Sequence, residues 1–206
     1  MGPVLGPMVV CGVSFRSEHL EELKKIHVRD SKTLSPRRRS ALARLIQKKA
    51  ERCELIELTA AEIDEFRLVK KIKLNQVEAI QFARVIDRLK PSKVYVDSAD
   101  TNPDRFSRDI KRHLHVKTEL VAEHHADERY PQVSAASILA KVRRDQRIEE
   151  LKKRYGDLGS GYSSDPRTVR FLERWVKKHG KLPKFARKSW ETSRRMQNQI
   201  TQKKLE

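Results

Sequence analysis

Two aspartates that follow successive predicted strands are the residues best suited to chemistry in this sequence. Asp97 ends a predicted strand over residues 94–97, and Asp127 lies just after the next one, over residues 116–123. Neighbouring strands of an α/β sheet bring such positions to one edge, where the ligands of this fold class bind. Two carboxylates that converge there repel each other unless a divalent cation neutralises them. Mg²⁺ and Mn²⁺ both bind carboxylate oxygens and share their sites with phosphate oxygens.

Asp127 also has a simpler interpretation that depends on its position alone. Together with Glu128 it precedes a predicted helix that begins at Pro131, and acids near a helix N-terminus stabilise the helix dipole. The first turns of that helix carry small side chains at positions 134–137 and 140. A helix of this kind packs closely against a sheet, which would hold Asp127 in a fixed place.

The charge of the chain indicates a polyanionic partner. Its 206 residues include 46 Lys and Arg against 28 Asp and Glu, which gives a formal net charge of +18. Such an excess favours nucleic acid, bound through its phosphates and therefore sensitive to salt. With phosphate as the target, the acid pair predicts hydrolysis of a phosphodiester assisted by two metal ions about 3.5–4 Å apart.

An anionic membrane surface is the rival partner for so basic a chain. No long helix in the sequence combines a basic face with a bulky apolar one, as membrane-surface helices do. No apolar run approaches the ~20 residues of a membrane span either. The sequence therefore favours nucleic acid over a membrane.

Two further segments carry residues that could bind a nucleic acid. The turn at residues 29–32 offers Ser31 and Lys32 to a phosphate, although a solvated Asx-type turn is the simpler explanation of the turn by itself. The loop at residues 159–168 combines two glycines, three serines and Tyr162, and could present an aromatic ring to a sugar. Its alternative explanation is the capped helix start that its Asp-Pro pair supplies.

Two histidines and two cysteines complete the candidates. His124 and His125 could act as bases, but an exposed pair of histidines is more often simply solvated. Cys11 and Cys53 lie in apolar segments and are expected to be buried thiols in a reducing, cytoplasmic environment. The N-terminus has no pattern of a secretory signal.

The elements that would position these residues alternate between strands and helices. Strands are predicted over residues 8–15, 53–58, 94–97 and 116–123. Helices are predicted to start at Ser35-Pro36, Thr59, Asn75, Asn102-Pro103, Pro131 and Asp165-Pro166. This order predicts an α/β core over residues 1–155 and a helical, basic C-terminal extension over residues 156–206.

Taken together, these motifs resemble ribonuclease HII, the type 2 ribonuclease H family, and most closely its archaeal branch. The matching segments are residues 2–10 (GPVLGPMVV), 29–34 (RDSKTL), 94–97 (VYVD), 126–127 (AD), 133–142 (VSAASILAKV) and 159–168 (GSGYSSDPRT). They occur in the family order and span nearly the whole chain. The SAASILAKV and GSGY motifs are the most specific of them.

The resemblance implies a ribonuclease H-like fold, with a five-stranded mixed sheet in the order 3-2-1-4-5 flanked by helices. It implies endonucleolytic hydrolysis of RNA in RNA–DNA hybrids that depends on Mg²⁺ or Mn²⁺. It also implies cleavage on the 5′ side of ribonucleotides embedded in duplex DNA, and with it a role in DNA replication and repair. A monomer is expected on the same ground.

Roles for individual residues follow from the matching motifs. Asp97 and Asp127 would be two of four catalytic acids that bind the metal. Lys32 would hold a phosphate, and Tyr162 would pack on the sugar and sense the 2′-OH, which distinguishes RNA from DNA. The substrate-binding residues implied in this way are Gly2, Ser31, Lys32 and Tyr162.

The N-terminus departs from the family pattern. The family opens with a central strand ending in Asp-Glu-Ala-Gly-Arg-Gly, whereas here Met1 stands in place of the arginine and Gly2 is all that remains of the element. Two of the four acids and strand 1 of the sheet are therefore missing from this chain. We expect that the sequence begins at an internal Met of a longer product, and that the polypeptide as printed cleaves weakly or not at all.

Two other functions remain open at this point. A non-catalytic module that binds RNA–DNA hybrids would keep Lys32, Tyr162 and the basic extension without cleaving. Another nuclease of the ribonuclease H-like fold, such as a resolvase, would act on junction DNA without a 2′-OH. The GSGY loop argues against the resolvase.

Overall fold

The computed structural model describes residues 2–20, 23 and 35–202. The strands are β1 (Met8–Ser14), β2 (Arg52–Leu58), β3 (Lys93–Asp97) and β4 (Glu119–Glu123). The helices, numbered over the described residues, are α1 (Pro36–Lys49), α2 (Ala60–Asp64), α3 (Leu74–Leu89), α4 (Pro103–Lys111), α5 (Ala126–Arg129), α6 (Pro131–Tyr155), α7 (Pro166–His179) and α8 (Glu191–Gln202). A 3₁₀ turn at Ser17–His19 follows β1, and a π-helical turn at Glu65–Val69 continues α2. This mixture of strands and helices confirms the predicted α/β class.

Local side-chain caps explain where several helices begin. The Ser35 hydroxyl accepts the Arg38 N–H at the start of α1, and Pro36 follows the cap. Thr59 and Glu62 form a capping box at the start of α2. The remaining capped starts are those of α4, at Asn102, and α7, at Asp165. The predicted helix starts at these four positions are confirmed.

The strands form two hydrogen-bonded pairs. β3 and β4 run parallel, with Lys93 opposite Glu119 and Asp97 opposite Glu123. β1 pairs with β2, and in the described part of the chain no ladder joins the two pairs. In the expected order 3-2-1-4-5, the β1–β2 pair corresponds to strands 2 and 3, and the β3–β4 pair corresponds to strands 4 and 5.

The fourth strand is shorter than the sequence predicted. It begins at Glu119, whereas the apolar pattern placed its start at Val116. The Asp87 carboxylate on α3 accepts the backbone N–H groups of His115 at 2.9 Å and of Val116 at 3.2 Å. These N–H groups are therefore bound by a side chain before the ladder to β3 starts.

The chain divides into two compact units, each with its own apolar core. The first unit comprises Met1–Met8, Glu57–Ile72 and Arg144–Glu206, and the second comprises Val9–Ile56 and Lys73–Arg143. In the first unit Trp175 and Val176 pack against a cluster that includes the buried Leu172. The second unit has one cluster where Cys11, Ile46 and Ile138 meet, and another where Val96, Phe106 and Leu120 meet. The predicted division after Tyr155 remains a prediction.

The two cysteines differ in their surroundings. Burial raises the pKa of the Cys11 thiol to about 12, and this residue is buried as predicted. The prediction was wrong for Cys53, which is exposed because the first residues of β2 lie at the surface. Both thiols are free. Among the described helices, none is long and apolar enough to cross a membrane.

Candidate functional site

Asp97 lies at the carboxyl end of the parallel β3–β4 pair. The strand forms because Val94 and Val96 pack into the core cluster, with Val96 buried. The Ser98 N–H donates to the Glu123 carbonyl at 2.8 Å, which extends the ladder one step beyond Asp97. The backbone that carries the Asp97 carboxylate is therefore held by hydrogen bonds on both sides of it.

Asp127 approaches the same edge from the neighbouring strand. β4 ends at Glu123, and the chain turns through His125, which adopts a left-handed conformation with φ of 56°. The short helix α5 then begins at Ala126 and buries Asp127 in its first turn. The Ala126 N–H donates to Asp97 Oδ1 at 3.2 Å. The structure thus brings the Asp97 carboxylate against the residue that directly precedes Asp127.

Glu123 ties the segment after β4 back to the strand. One of its carboxylate oxygens accepts the Tyr130 hydroxyl at 3.2 Å. The other lies 2.8 Å from the guanidinium of Arg129. Because Arg129 and Tyr130 lie two and three residues after Asp127, these contacts restrain α5 relative to the end of β4.

The loop after β3 is built around a second, buried aspartate. Asp100 accepts hydrogen bonds from the guanidinium of Arg105, from the amide of Asn75 and from the backbone N–H of Asn102. The Arg105 guanidinium is the main reason that the pKa of Asp100 falls to about 2. Since its oxygens already accept these bonds, Asp100 fixes the loop and is a poor candidate for a metal ligand.

The histidine pair lies at the surface. His124 and His125 are both exposed, with His124 Nε2 3.3 Å from the Thr101 carbonyl and His125 Nδ1 3.4 Å from Glu128. This placement agrees with the expectation of solvated side chains.

The donor set at this edge fits a hard divalent cation. Asp97 and Asp127 supply carboxylate oxygens, which Mg²⁺ and Mn²⁺ prefer over nitrogen or sulfur. Within residues 2–20, 23 and 35–202, no group of three or more His, Cys, Asp or Glu side chains forms a larger cage. The fit therefore depends on this pair.

The glycine-rich loop at residues 159–162 is fixed by its own side-chain contacts. The Gly161 N–H donates to Thr168 Oγ1 at 3.0 Å, and that hydroxyl donates to the Leu158 carbonyl at 2.9 Å. Asp165 accepts the Ser160 N–H at 2.7 Å. Backbone donors at Ser160 and at Arg167 hold the pKa of Asp165 well below its usual range. The capped start of α7 and the glycine loop are therefore one structure. The helix cap is confirmed, and the contact of the Tyr162 ring with a sugar stays a prediction.

Tyr162 projects from this loop with its ring partly exposed, at 39%. The Arg144 guanidinium lies over the ring, 4.5 Å from its centroid. The same guanidinium donates to the Ser160 carbonyl at 2.5 Å. Arg144 thus holds one face of the ring and the loop backbone at the same time.

Gly2 lies beside Tyr162 in the first unit. Pro3 forms an antiparallel bridge with Tyr162, and the Val4 N–H donates to the Gly161 carbonyl at 2.8 Å. The Gly2 carbonyl accepts the indole N–H of Trp190 at 3.0 Å. Trp190 therefore packs within the protein. Of the remaining predicted substrate-binding residues, Ser31 and Lys32 lie outside the described residues.

A comparison with known protein families identifies the family of this chain. A model of the family described as Ribonuclease HII matches residues 1–193. The chain belongs to the ribonuclease HII family. Ribonuclease HII proteins are endoribonucleases that act on RNA–DNA hybrids, so the predicted family and enzyme class are confirmed.

Relatives of known sequence and structure agree with this assignment. Ribonuclease HII from Pyrococcus furiosus is 43% identical over 205 residues, which cover 98% of this chain and 90% of the relative. The crystal structure of ribonuclease H2 from Pyrococcus horikoshii OT3 has a TM-score of 0.90 at 42% identity and covers 97% of this chain and 94% of that one. RNase HII from Archaeoglobus fulgidus, solved in complex with PCNA, has a TM-score of 0.85 at 42% identity, with 95% of this chain and 91% of that chain covered.

Three supporting residues of this member of the ribonuclease HII family were not predicted from the sequence. Tyr130 and Tyr95 support the two acid-bearing segments, and Arg144 supports Tyr162. A weak signal existed for Tyr95, which is two residues before Asp97 and so lies on the same face of β3. Nothing local pointed to Arg144, which is 18 residues from the ring that it covers.

Proposed function

We propose that Asp97 and Asp127 bind Mg²⁺ or Mn²⁺ and that the enzyme cleaves RNA in RNA–DNA hybrids and on the 5′ side of single ribonucleotides embedded in DNA. The observation that carries the proposal is the hydrogen bond from the Ala126 N–H to Asp97 Oδ1 at the carboxyl end of β3 and β4. It joins the two acid-bearing segments at the edge where α/β folds bind ligands. A pair of carboxylates held there suits a cation that also contacts a phosphate.

The two acids contribute through their fixed positions. A divalent ion held by them would neutralise charge on the attacked phosphodiester. The Ala126 N–H occupies one side of Asp97 Oδ1, which orients the carboxylate and leaves its other lone pairs available. Burial of Asp127 keeps bulk water away from its side chain. Neither acid then has to reorganise when substrate arrives, and this preorganisation lowers the barrier.

Recognition of the ribose depends on the first unit. The exposed part of the Tyr162 ring would pack on the sugar, and the backbone at Gly2 would contact the ribonucleotide beside it. Arg144 on the ring and Trp190 on the Gly2 carbonyl hold these two elements in place. The 2′-OH is the group that such a site must sense to separate RNA from DNA. Ser31 and Lys32 would hold a phosphate, as the family resemblance implies.

A duplex that contains one ribonucleotide tests the proposal, with an all-DNA duplex of the same sequence as its control. We expect cleavage 5′ of the ribonucleotide with Mn²⁺ or Mg²⁺, and no cleavage of the control. Asp97→Asn should lower the rate by more than about 100-fold, since even partners of metal ligands typically contribute 10–100-fold. Duplex affinity should be retained, because the charge of this site repels phosphate in the absence of metal.

The 206-residue polypeptide and a version extended by the N-terminal segment of a relative should both be assayed. We expect the printed chain to cleave slowly, because two of the four family acids are absent from it, and the extended chain to cleave faster. Tight binding of hybrid without cleavage by either form would contradict the enzyme and support a non-catalytic module that binds hybrids.

We further propose that the protein is a monomer in a reducing cytoplasm, which agrees with the two free thiols. Gel filtration checks the oligomeric state, and cell fractionation checks the location.

A further inference from the structure

The helix α1 stands apart from the other helices of the described chain by its charge. Its sequence, PRRRSALARLIQKK, contains six basic residues and no acid, whereas every other described helix of nine or more residues contains at least one acid. Arg37 and Arg38 lie in its first turn, where the positive end of the helix dipole disfavours cations. Stability of the helix does not explain this placement.

Three of these cations share one face. Arg37, Arg44 and Lys48 fall within about 40° of one another on the helix, given 3.6 residues per turn. The buried residues Leu42, Ala43 and Ile46 lie on the opposite face, against the core cluster of the second unit. We call Arg37, Arg44 and Lys48 the α1 basic stripe.

The stripe is exposed, and the part of the chain that the structure describes supplies no acid to pair with it. All three side chains are exposed, and none forms an ion pair with another residue in the described ranges. From Arg37 to Lys48 the stripe extends roughly 16 Å along the helix, at 1.5 Å per residue. A nucleic-acid duplex carries about one phosphate charge per 1.7 Å of its axis, so several phosphates face a surface of that length.

We infer that the α1 basic stripe is a phosphate-backbone contact for the duplex substrate, separate from the acid pair and from the glycine loop. It supplies affinity without sequence or sugar specificity, as contacts to phosphate do. An anionic membrane is disfavoured because the apolar face that would insert into it is already packed in the core. The inference rests on the proposed function insofar as the partner is the duplex that the enzyme cleaves.

Binding should be measured in the Asp97→Asn background, by fluorescence anisotropy of a labelled RNA–DNA hybrid across a range of salt concentrations. Each phosphate contact contributes about 0.9 to the slope of log affinity against log salt. The triple variant Arg37→Gln, Arg44→Gln, Lys48→Gln should therefore lower the slope by roughly 2–3. Its dissociation constant should rise at least about tenfold at low salt, since salt-dependent phosphate contacts dominate such binding.

The matched control removes the same charge from the same unit. Lys90, Lys111 and Lys117 are exposed and lie outside α1, so their triple change to Gln should leave the slope nearly unaltered. Equal effects of the two triple variants would overturn the inference, because net charge alone would then explain both. An effect of the stripe on binding to anionic vesicles but not to duplex would overturn it as well.

Single variants at the three stripe positions give a second measure if the triple variant folds poorly. Each should lower the slope by about 0.9, and unchanged slopes in all three would overturn the inference. Failure here is distinguishable from failure of the proposed function. A parent enzyme that cleaves hybrid while the stripe variants bind like the parent refutes the stripe alone, whereas a parent that neither binds nor cleaves hybrid refutes both.

Discussion

The rings of Tyr95 and Tyr130 stack with their centroids 4.1 Å apart and an angle of 29° between their planes. Tyr95 lies on β3 two residues before Asp97, and Tyr130 lies three residues after Asp127. The Tyr130 hydroxyl also donates to Glu123 at the end of β4. The stack therefore joins the segments that carry the two proposed metal ligands.

Tyr130→Ala should weaken metal binding more than it weakens the fold. The variant loses the stack, which is worth about 0.5–1.5 kcal/mol beyond the buried area, and frees α5 to move relative to β3. We expect the Mn²⁺ concentration for half-maximal cleavage to rise about tenfold, in the range found for residues that orient metal ligands. Titration of Mn²⁺ at saturating substrate measures this effect.

Tyr130→Phe is the matched control for the stack. It keeps the ring and removes the partly buried hydrogen bond to Glu123. The half-maximal Mn²⁺ concentration should therefore stay within about twofold of the parent value, because the stack is retained and a single hydrogen bond contributes little. If Tyr130→Ala lowers the melting temperature but leaves the metal requirement unchanged, Tyr130 is a packing residue and does not position the acids.

Gly161→Ala should destabilise the protein more than Gly156→Ala. Both glycines have φ above +80°, a region that costs an alanine about 1–2 kcal/mol. A Cβ at Gly156 meets nothing within 4 Å, whereas one at Gly161 lies 2.9 Å from Arg144 Nη2 and 3.0 Å from Ile148 Cδ1. The second variant therefore carries the backbone strain and a clash with the side chain that supports Tyr162.

Thermal unfolding measures the difference between these two variants. For a chain of this size, 1 kcal/mol corresponds to roughly 2–4 °C. We expect Gly156→Ala to lower the melting temperature by about 2–8 °C and Gly161→Ala to lower it further, with slower cleavage of single ribonucleotides. Equal melting temperatures, with equal cleavage rates, would show that Arg144 moves aside without consequence.

The parts of the fold that the sequence predicted correctly are those with local signals. Caps at Ser35, Thr59 and Asn102 lie within three residues of the N–H groups that they bind, so each helix start is readable from a short window. The position of Asp97 at the end of β3 was predicted because a strand and its terminal acid are adjacent in sequence. Such signals come from residues that are close in sequence, and they indicate the helices and strands and their order.

Contacts between distant segments were not predictable in this way. Trp190 binds the Gly2 carbonyl across 188 residues, and Asn75 binds Asp100 across 25. The predicted start of β4 was wrong for the same reason. The Asp87 carboxylate that binds the turn before this strand is 28 residues from His115, whose N–H it accepts. Nothing in a local pattern reports which side chain will reach a given backbone group, so these partners appear only in the folded structure.

Tyr162→Ala should reduce selectivity for ribose more than it reduces binding. The exposed part of the ring is proposed to pack on the sugar, with Arg144 on the ring 4.5 Å from its centroid. We expect kcat/KM on a duplex with one ribonucleotide to fall at least about tenfold, which corresponds to about 1.4 kcal/mol and to the loss of one aromatic contact. Tyr162→Phe keeps the ring and should lose less. If Tyr162→Ala has the same duplex affinity and the same kcat/KM as the parent, Tyr162 does not take part in binding the sugar.

The contribution of Asp100 to stability should depend on pH in the acid range. Its pKa is lowered from 3.8 to about 2, first by the hydrogen bond from Arg105. A carboxyl group with a lowered pKa in the folded state stabilises the fold fully above its unfolded pKa and loses that contribution as the pH falls through the folded value. Asp100→Asn removes the charge, so the variant should be less stable than the parent at pH 7, and the gap should narrow as the pH falls from about 4 to about 2.

Urea unfolding of the parent and of Asp100→Asn at several pH values measures this gap. Glu173→Gln is the control, because Glu173 is exposed on α7 and its replacement should change the free energy of unfolding little at any pH. The difference in the free energy of unfolding between the parent and Asp100→Asn could instead be as large near pH 2 as at pH 7. The variant would then be destabilised because asparagine differs from aspartate in shape or offers fewer hydrogen-bond acceptors. The charge of Asp100, and with it the pairing to Arg105, would then have no part in holding the loop that follows Asp97.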